Sequence, residues 1–156
     1  KLFTLISLFL LSSIASADIS GTALIVDGDT ITISGNKIRL NGIDTPEKDQ
    51  TCRRAGVTWR CGYEATETLR NWTYTKEVRC VGDTKDRYGG LIANCFVDGY
   101  NVNARLVYEG LALAYRKYSK QYVPEEDKAR AAKRGMWAGE FVAPWDWREG
   151  KRLTSE

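Results

Sequence analysis

The stretch "GTALIVDGDTITISGNKIRL", Gly21 to Leu40, decides the fold. Its pieces "TALIV", "TITI" and "KIRL" are rich in β-branched residues and are separated by the turn candidates "DGD" and "SGNK". That pattern predicts three successive antiparallel strands. No helix intervenes, so the chain does not open as a βαβ parallel sheet. Within "KIRL" the two-residue period of a strand places Ile38 and Leu40 on one face and Arg39 on the other, free to meet an anion.

Outward from this stretch, "YEATETLRNW" (Tyr63 to Trp72) has helical composition and spacing. "EVRCV" and "LIANCFV" read as two strands joined by the polar turn "GDTKDRYGG". "NVNARLVYEG" reads as a helix from about Val102, ended by Gly110. In "PEEDKARAAKRG", Pro124 starts a third helix and Gly135 stops it, with acids in the first turn and bases in the last, the sense favoured by the helix dipole. Five short strands and three helices in this order imply an α+β, mainly β, fold: a closed five-stranded OB-type barrel with helices packed at its end.

Lys1, the apolar run "LFTLISLFLLSSIA" and "ASA" at Ala15 to Ala17 have the three parts of a secretory signal peptide. The expected organisation is a signal peptide at 1–17, an OB-fold domain at 18–147 and a frayed tail at 148–156, with export to the periplasm or the medium, no stable membrane association and a monomeric state. Removing 17 residues from 156 leaves about 139, one ordinary domain. Without Lys1 there are 22 bases against 20 acids, too slight a bias to argue for tight nucleic-acid binding.

All four cysteines lie after Asp18, in the part where disulfides would persist. Three pairings are possible; Cys52–Cys61, closing a short loop, and Cys80–Cys95, across a hairpin, are favoured. The spacings lack CxxC and the chain has no histidine, which argues against a zinc site.

The chemistry concentrates in "VDGDT" and "IDTPE", which set Asp27, Asp29, Asp44 and Glu47 in two clusters around the strand that carries Arg39. Either motif alone is an ordinary turn. Together they form an oxygen-only ligand set of the kind hard divalent cations prefer, with Asp29 and Asp44 as candidate ligands and Asp27 capping its turn or holding a metal-bound water. A cation there, a carboxylate base at Glu47 and a guanidinium at Arg39 are the parts that phosphodiester hydrolysis requires.

"VDGDT", "IRLNGIDTPE", "DRYGG", "NVNARLVYEGLALAY" and "GMW" resemble, in order, successive motifs of the staphylococcal nuclease (thermonuclease) family from about Gly21 to Trp137. Arg39 precedes Asp44 by the five positions that family uses. The resemblance implies that Asp29 and Asp44 are Ca²⁺ carboxylates and that Thr45 is a backbone-carbonyl ligand. It makes Glu47 the general base, Arg39 a phosphate-binding arginine, and Tyr88 and Tyr115 aromatic residues of the nucleotide pocket. It implies the same barrel and the metal-dependent endonucleolytic hydrolysis of DNA and RNA to 3′-phosphate ends.

One departure stands out. The family usually reads D-[RK]-Y-G-R, with the last arginine reaching the scissile phosphate, whereas this chain has Gly90 there. Losing one such donor costs on the order of 3 kcal/mol of transition-state stabilisation. Arg87 and Lys85 in the same loop are the candidate replacements, although in a strand Arg87, three residues from Gly90, falls on the opposite parity. The competing expectation is a nucleic-acid-binding or interaction module that kept the barrel and lost turnover; a third is a module for another anionic polymer.

"YRKYSKQY" (Tyr115 to Tyr122) interleaves bases and tyrosines, the mix that stacks bases while tracking a backbone with little sequence specificity. Trp145 and Trp147 read as a structural clasp over a domain edge. A Cys52–Cys61 bond would tie the basic loop bearing Arg53, Arg54 and Arg60 beside the proposed site, at roughly 2–3 kcal/mol in the chain-entropy account.

Overall fold

The computed structural model describes residues 16–154. Three antiparallel strands open it: β1 (Ala17–Ile25), β2 (Thr30–Ile33) and β3 (Asn36–Leu40). The short β4 (Ile43–Asp44) and the hairpin β5 (Cys52–Arg54) and β6 (Val57–Trp59) lead into α1 (Cys61–Thr73). Strands β7 (Glu77–Lys85) and β8 (Leu91–Val97) follow, then β9 (Tyr100–Asn101), α2 (Val102–Tyr108), β10 (Leu113–Ala114) and α3 (Val123–Ala131). A 3₁₀ turn at Gly135–Ala138 and α4 (Pro144–Arg148) end the described elements.

β1 pairs with both β2 and β7, and β7 pairs with β8, all antiparallel. The parallel pairing of β3 with β8, Arg39 opposite Ile92, closes the sheet on itself. The result is the expected five-stranded mixed barrel with helices, which leaves its principal strands without free edges. Inward side chains alternate as the sequence predicts: Ile31, Ile33, Ile38 and Leu40 are buried in one core with Val78, Ala93, Val97 and Leu106, while Arg39 projects outward. Both favoured disulfides are present, and Cys80 lies directly opposite Cys95 in the β7–β8 register.

Helix α1 begins two residues earlier than Tyr63, at Cys61. Helix α3 stops at Ala131, well before Gly135, because the chain reverses early: Lys133 takes a left-handed conformation (φ 52°) and the Arg134 amide bonds back to the Ala129 carbonyl at 2.9 Å. Of residues 1–17, only Ser16 and Ala17 are among those described; Ala17 pairs with Gly82 as the first residue of β1. Among the described residues no helix is long and apolar enough to cross a membrane.

A second, smaller cluster positions the functional face. Cys52, Cys61, Leu113 and Met136 are buried together, with Trp59, Trp137, Phe141 and Trp145 packed against them. The C-terminal segment is therefore held against the disulfide-tied loop. Arg53 and Glu140 exchange backbone hydrogen bonds at 2.9 and 2.8 Å, and the buried Gln50 side chain donates to the Val142 carbonyl at 2.7 Å.

Candidate active site

Asp29 enters β2 from a tight turn in which Asp27 Oδ1 accepts the Asp29 amide at 3.1 Å, so Asp27 caps the turn. The Asp29 carbonyl accepts the Leu40 amide at 2.8 Å, which ties this turn to the end of β3. Asp44 lies on β4, which is held in place by β10 through the pairing of Asp44 with Leu113. Strand β10 is fixed in turn by the buried Glu126 of α3, which accepts from the Ala114 amide at 3.2 Å and from Arg116 at 2.6 Å. Two glycines allow the close approaches that this requires. A Cβ on Gly28 would lie 2.7 Å from the Thr45 hydroxyl, and one on Gly62 would lie 1.6 Å from the Glu47 carbonyl oxygen, so α1 can start against the Glu47 backbone only without a side chain there.

The two aspartates share one guanidinium. Arg39 Nη2 is 3.9 Å from Asp29 Oδ2 and 3.9 Å from Asp44 Oδ1, so those oxygens lie no more than twice that distance apart. Asp29 is nearly buried; its Oδ1 accepts the Thr30 hydroxyl at 3.2 Å and its Oδ2 the Thr45 amide at 3.1 Å. Burial pushes its carboxyl up to about 7, opposed by Arg39 and reinforced by the neighbouring Asp27 and Asp44 carboxylates. Burial also raises Asp44, although the Arg148 and Arg39 guanidiniums pull against it. Glu47 sits beside this pair in a turn closed by Gln50, whose side chain accepts the Glu47 amide at 3.1 Å.

Arg148, at the end of α4, was missed by the reading of 148 onward as a frayed tail. Its Nη1 donates to Asp44 Oδ1 at 3.0 Å and to Glu47 Oε1 at 2.8 Å, and its Nη2 donates to Asp44 Oδ2 at 2.6 Å. The hydrogen bonds to Asp44 are the largest cause holding the Arg148 guanidinium above its usual range. The tail is docked beyond it as well, since Lys151 bonds back to Asp146 through both its amide and its side chain. The available signal was Pro144 at the start of "PWDWR", a helix-initiating residue one turn before a base. Gln50, the buried brace of the Glu47 turn, was also missed and carries no sequence signal.

Other predicted residues lie elsewhere. Arg87 lies over the ring of Tyr88, 5.1 Å from its centroid, and Tyr88 is 78% exposed. Among the described residues neither bonds to the carboxylates. The loop that carries them is an Asx-type turn in which Asp86 Oδ1 accepts the Tyr88 and Gly90 amides at 2.9 and 2.8 Å. A Cβ on Gly90 would meet Asp86 Oδ2 at 2.9 Å. Tyr115 stacks on Trp145 with centroids 5.5 Å apart and planes 5° apart, so one of its faces is covered by the aromatic clasp. Tyr122 is core, its hydroxyl donating to Asn94 at 2.9 Å, and is no stacking platform. The loop arginines are engaged within the molecule: Arg53 bonds to the Thr154 carbonyl and Arg54 to the Gly135 carbonyl, each at 3.0 Å, and Arg60 lies over Tyr63.

The donor set suits a hard cation in part. Two buried carboxylates lie beside the same Arg39 guanidinium, and carboxylates are the donors Ca²⁺ uses together with carbonyl and water oxygens. Among the described residues no three acidic side chains gather as a complete ligand cluster, so carbonyls and water would have to finish the shell.

The family model described as staphylococcal nuclease homologue matches residues 37–139. Relatives include the succinoglycan biosynthesis protein ExoI of Rhizobium meliloti, 35% identical over 79% of this chain and 66% of its own. An uncharacterized endonuclease of Haemophilus influenzae is 34% identical over 83% of this chain and 72% of its own. A micrococcal nuclease of Shigella flexneri is 32% identical over 88% and 85%.

Proposed function

The chain belongs to the staphylococcal nuclease family, and on that premise we propose that it is an exported, Ca²⁺-dependent endonuclease that hydrolyses DNA and RNA to 3′-phosphate ends. The observation that carries this reading is that the Asp29 and Asp44 carboxylates both lie 3.9 Å from the Arg39 guanidinium. A pure binding surface has no use for carboxylates next to a phosphate, because they repel it.

Asp29 and Asp44 would hold the cation, with Thr45 as a carbonyl ligand. When bound, the cation supplies neutralisation of the charge that builds at phosphorus. Arg39, 40% exposed beside the two aspartates, is placed to bind a non-bridging phosphate oxygen from the solvent side. Glu47, also partly exposed, is the base that takes the proton from attacking water. Exposed rings such as Tyr88 and Tyr118 would stack on base faces, so little sequence specificity is expected. Gly90 leaves the β7–β8 loop with no side chain to reach the phosphate.

The test is plasmid nicking and single-strand cleavage in Ca²⁺ against EDTA, run beside Glu47→Gln. Cleavage should vanish in chelator and fall by about a hundredfold or more in the variant. Activity indifferent to both would refute the assignment.

A further inference from the structure

The nuclease reading leaves one guanidinium beside these carboxylates without a task. We infer that Arg148 is the second phosphate-binding arginine of this site, delivered by the C-terminal helix in place of a side chain at position 90. The inference rests on the proposed function and adds a substrate-contacting residue to it.

Three observations carry it. First, the β7–β8 loop brings no guanidinium to the carboxylates: Gly90 has no side chain, a Cβ there would meet the Asp86 carboxylate at 2.9 Å, and Arg87 lies over Tyr88. Second, Arg148 and Arg39 address the same atom. Arg148 Nη1 is 3.0 Å and Arg39 Nη2 is 3.9 Å from Asp44 Oδ1, so two guanidiniums from opposite ends of the chain flank one point. That is the arrangement of a clamp on a tetrahedral oxyanion. Third, the placement is built. Trp145, one turn before Arg148, stacks on Tyr115 and packs into the second cluster, and the backbone bridge between Arg53 and Glu140 sets the segment's register.

The Arg148 fork donates to the Asp44 and Glu47 carboxylates. Arg148 is 38% exposed, so it can turn outward to a ligand without unpacking the helix.

Arg148→Ala and Arg148→Lys test this, with folding checked by circular dichroism. The decisive measurement is calorimetric binding of a nucleoside 3′,5′-bisphosphate in EDTA, followed by Ca²⁺ titration and cleavage rates. Arg148→Ala should weaken bisphosphate binding roughly tenfold or more and lower kcat about a hundredfold, with the lysine variant in between. Bisphosphate affinity unchanged in both variants overturns the inference. So does tighter Ca²⁺ binding with equal or faster cleavage, which would make Arg148 a plug on the cation site. If the wild-type protein binds the bisphosphate but cleaves nothing, the nuclease reading fails, and the binding comparison still decides the role of Arg148.

Discussion

Asp29→Asn is expected to stabilise the metal-free protein, and to do so more strongly as pH rises. In the fold the Asp29 carboxyl is buried and its pKa is raised from 3.8 to about 7. Between those values the folded state keeps a proton that the unfolded chain has released. The stability it contributes is fully present below about pH 4 and is lost as pH climbs through the folded value. Each unit of separation is worth about 1.4 kcal/mol, so the ceiling on the loss at alkaline pH is on the order of 4 kcal/mol. Water reaching Asp29 lowers the measurable effect to roughly 1–3 kcal/mol. Asparagine escapes the titration and fits the contacts: its oxygen can accept the Thr45 amide while its amide nitrogen donates to the Thr30 hydroxyl. The assay is urea unfolding in EDTA at about pH 5 and about pH 8, where the advantage of the variant should grow by roughly 1–3 kcal/mol from the first pH to the second. Added Ca²⁺ should reverse the order by stabilising only the wild type. An advantage that is independent of pH, or a variant less stable at about pH 8, would refute the account of Asp29 as a buried acid held for a cation.

Gly62→Ala should unfold the loop around Glu47 or displace α1, because its Cβ would fall 1.6 Å from the Glu47 carbonyl oxygen; a melting temperature within a degree or so of wild type would contradict that packing. Gly90→Arg should raise cleavage of single-stranded DNA in Ca²⁺, once Asp86 has shifted away. The gain should be larger in an Arg148→Ala background than in the wild type, since the two guanidiniums would serve one phosphate; equal gains in the two backgrounds would separate their roles.

Much of this molecule was legible in local chemistry. The β-branched runs between "DGD" and "SGNK" give β1 to β3 because turn residues and two-residue alternation act over a handful of positions. The same alternation turns Arg39 away from Ile38 and Leu40, and it sets Cys80 against Cys95. Asp29 and Asp44 were expected near one another because one short strand, carrying Arg39, lies between their motifs.

What escaped were placements that depend on a distant segment returning. The closed barrel was expected, but no motif announces the parallel pairing of β3 with β8 that closes it. The aromatic clasp covers one face of Tyr115, and Tyr122 turns into the core, although both read as candidate stacking tyrosines. Arg148 stands 104 positions from the Asp44 it binds. The sequence by itself determined which carboxylates and guanidiniums lie close together along the chain, since that is a property of side-chain chemistry and short spacing. Only the tertiary structure decided which distant arginine joins them, because the packing of Trp145 and Met136 around a disulfide aims the last helix, and no local periodicity encodes that direction.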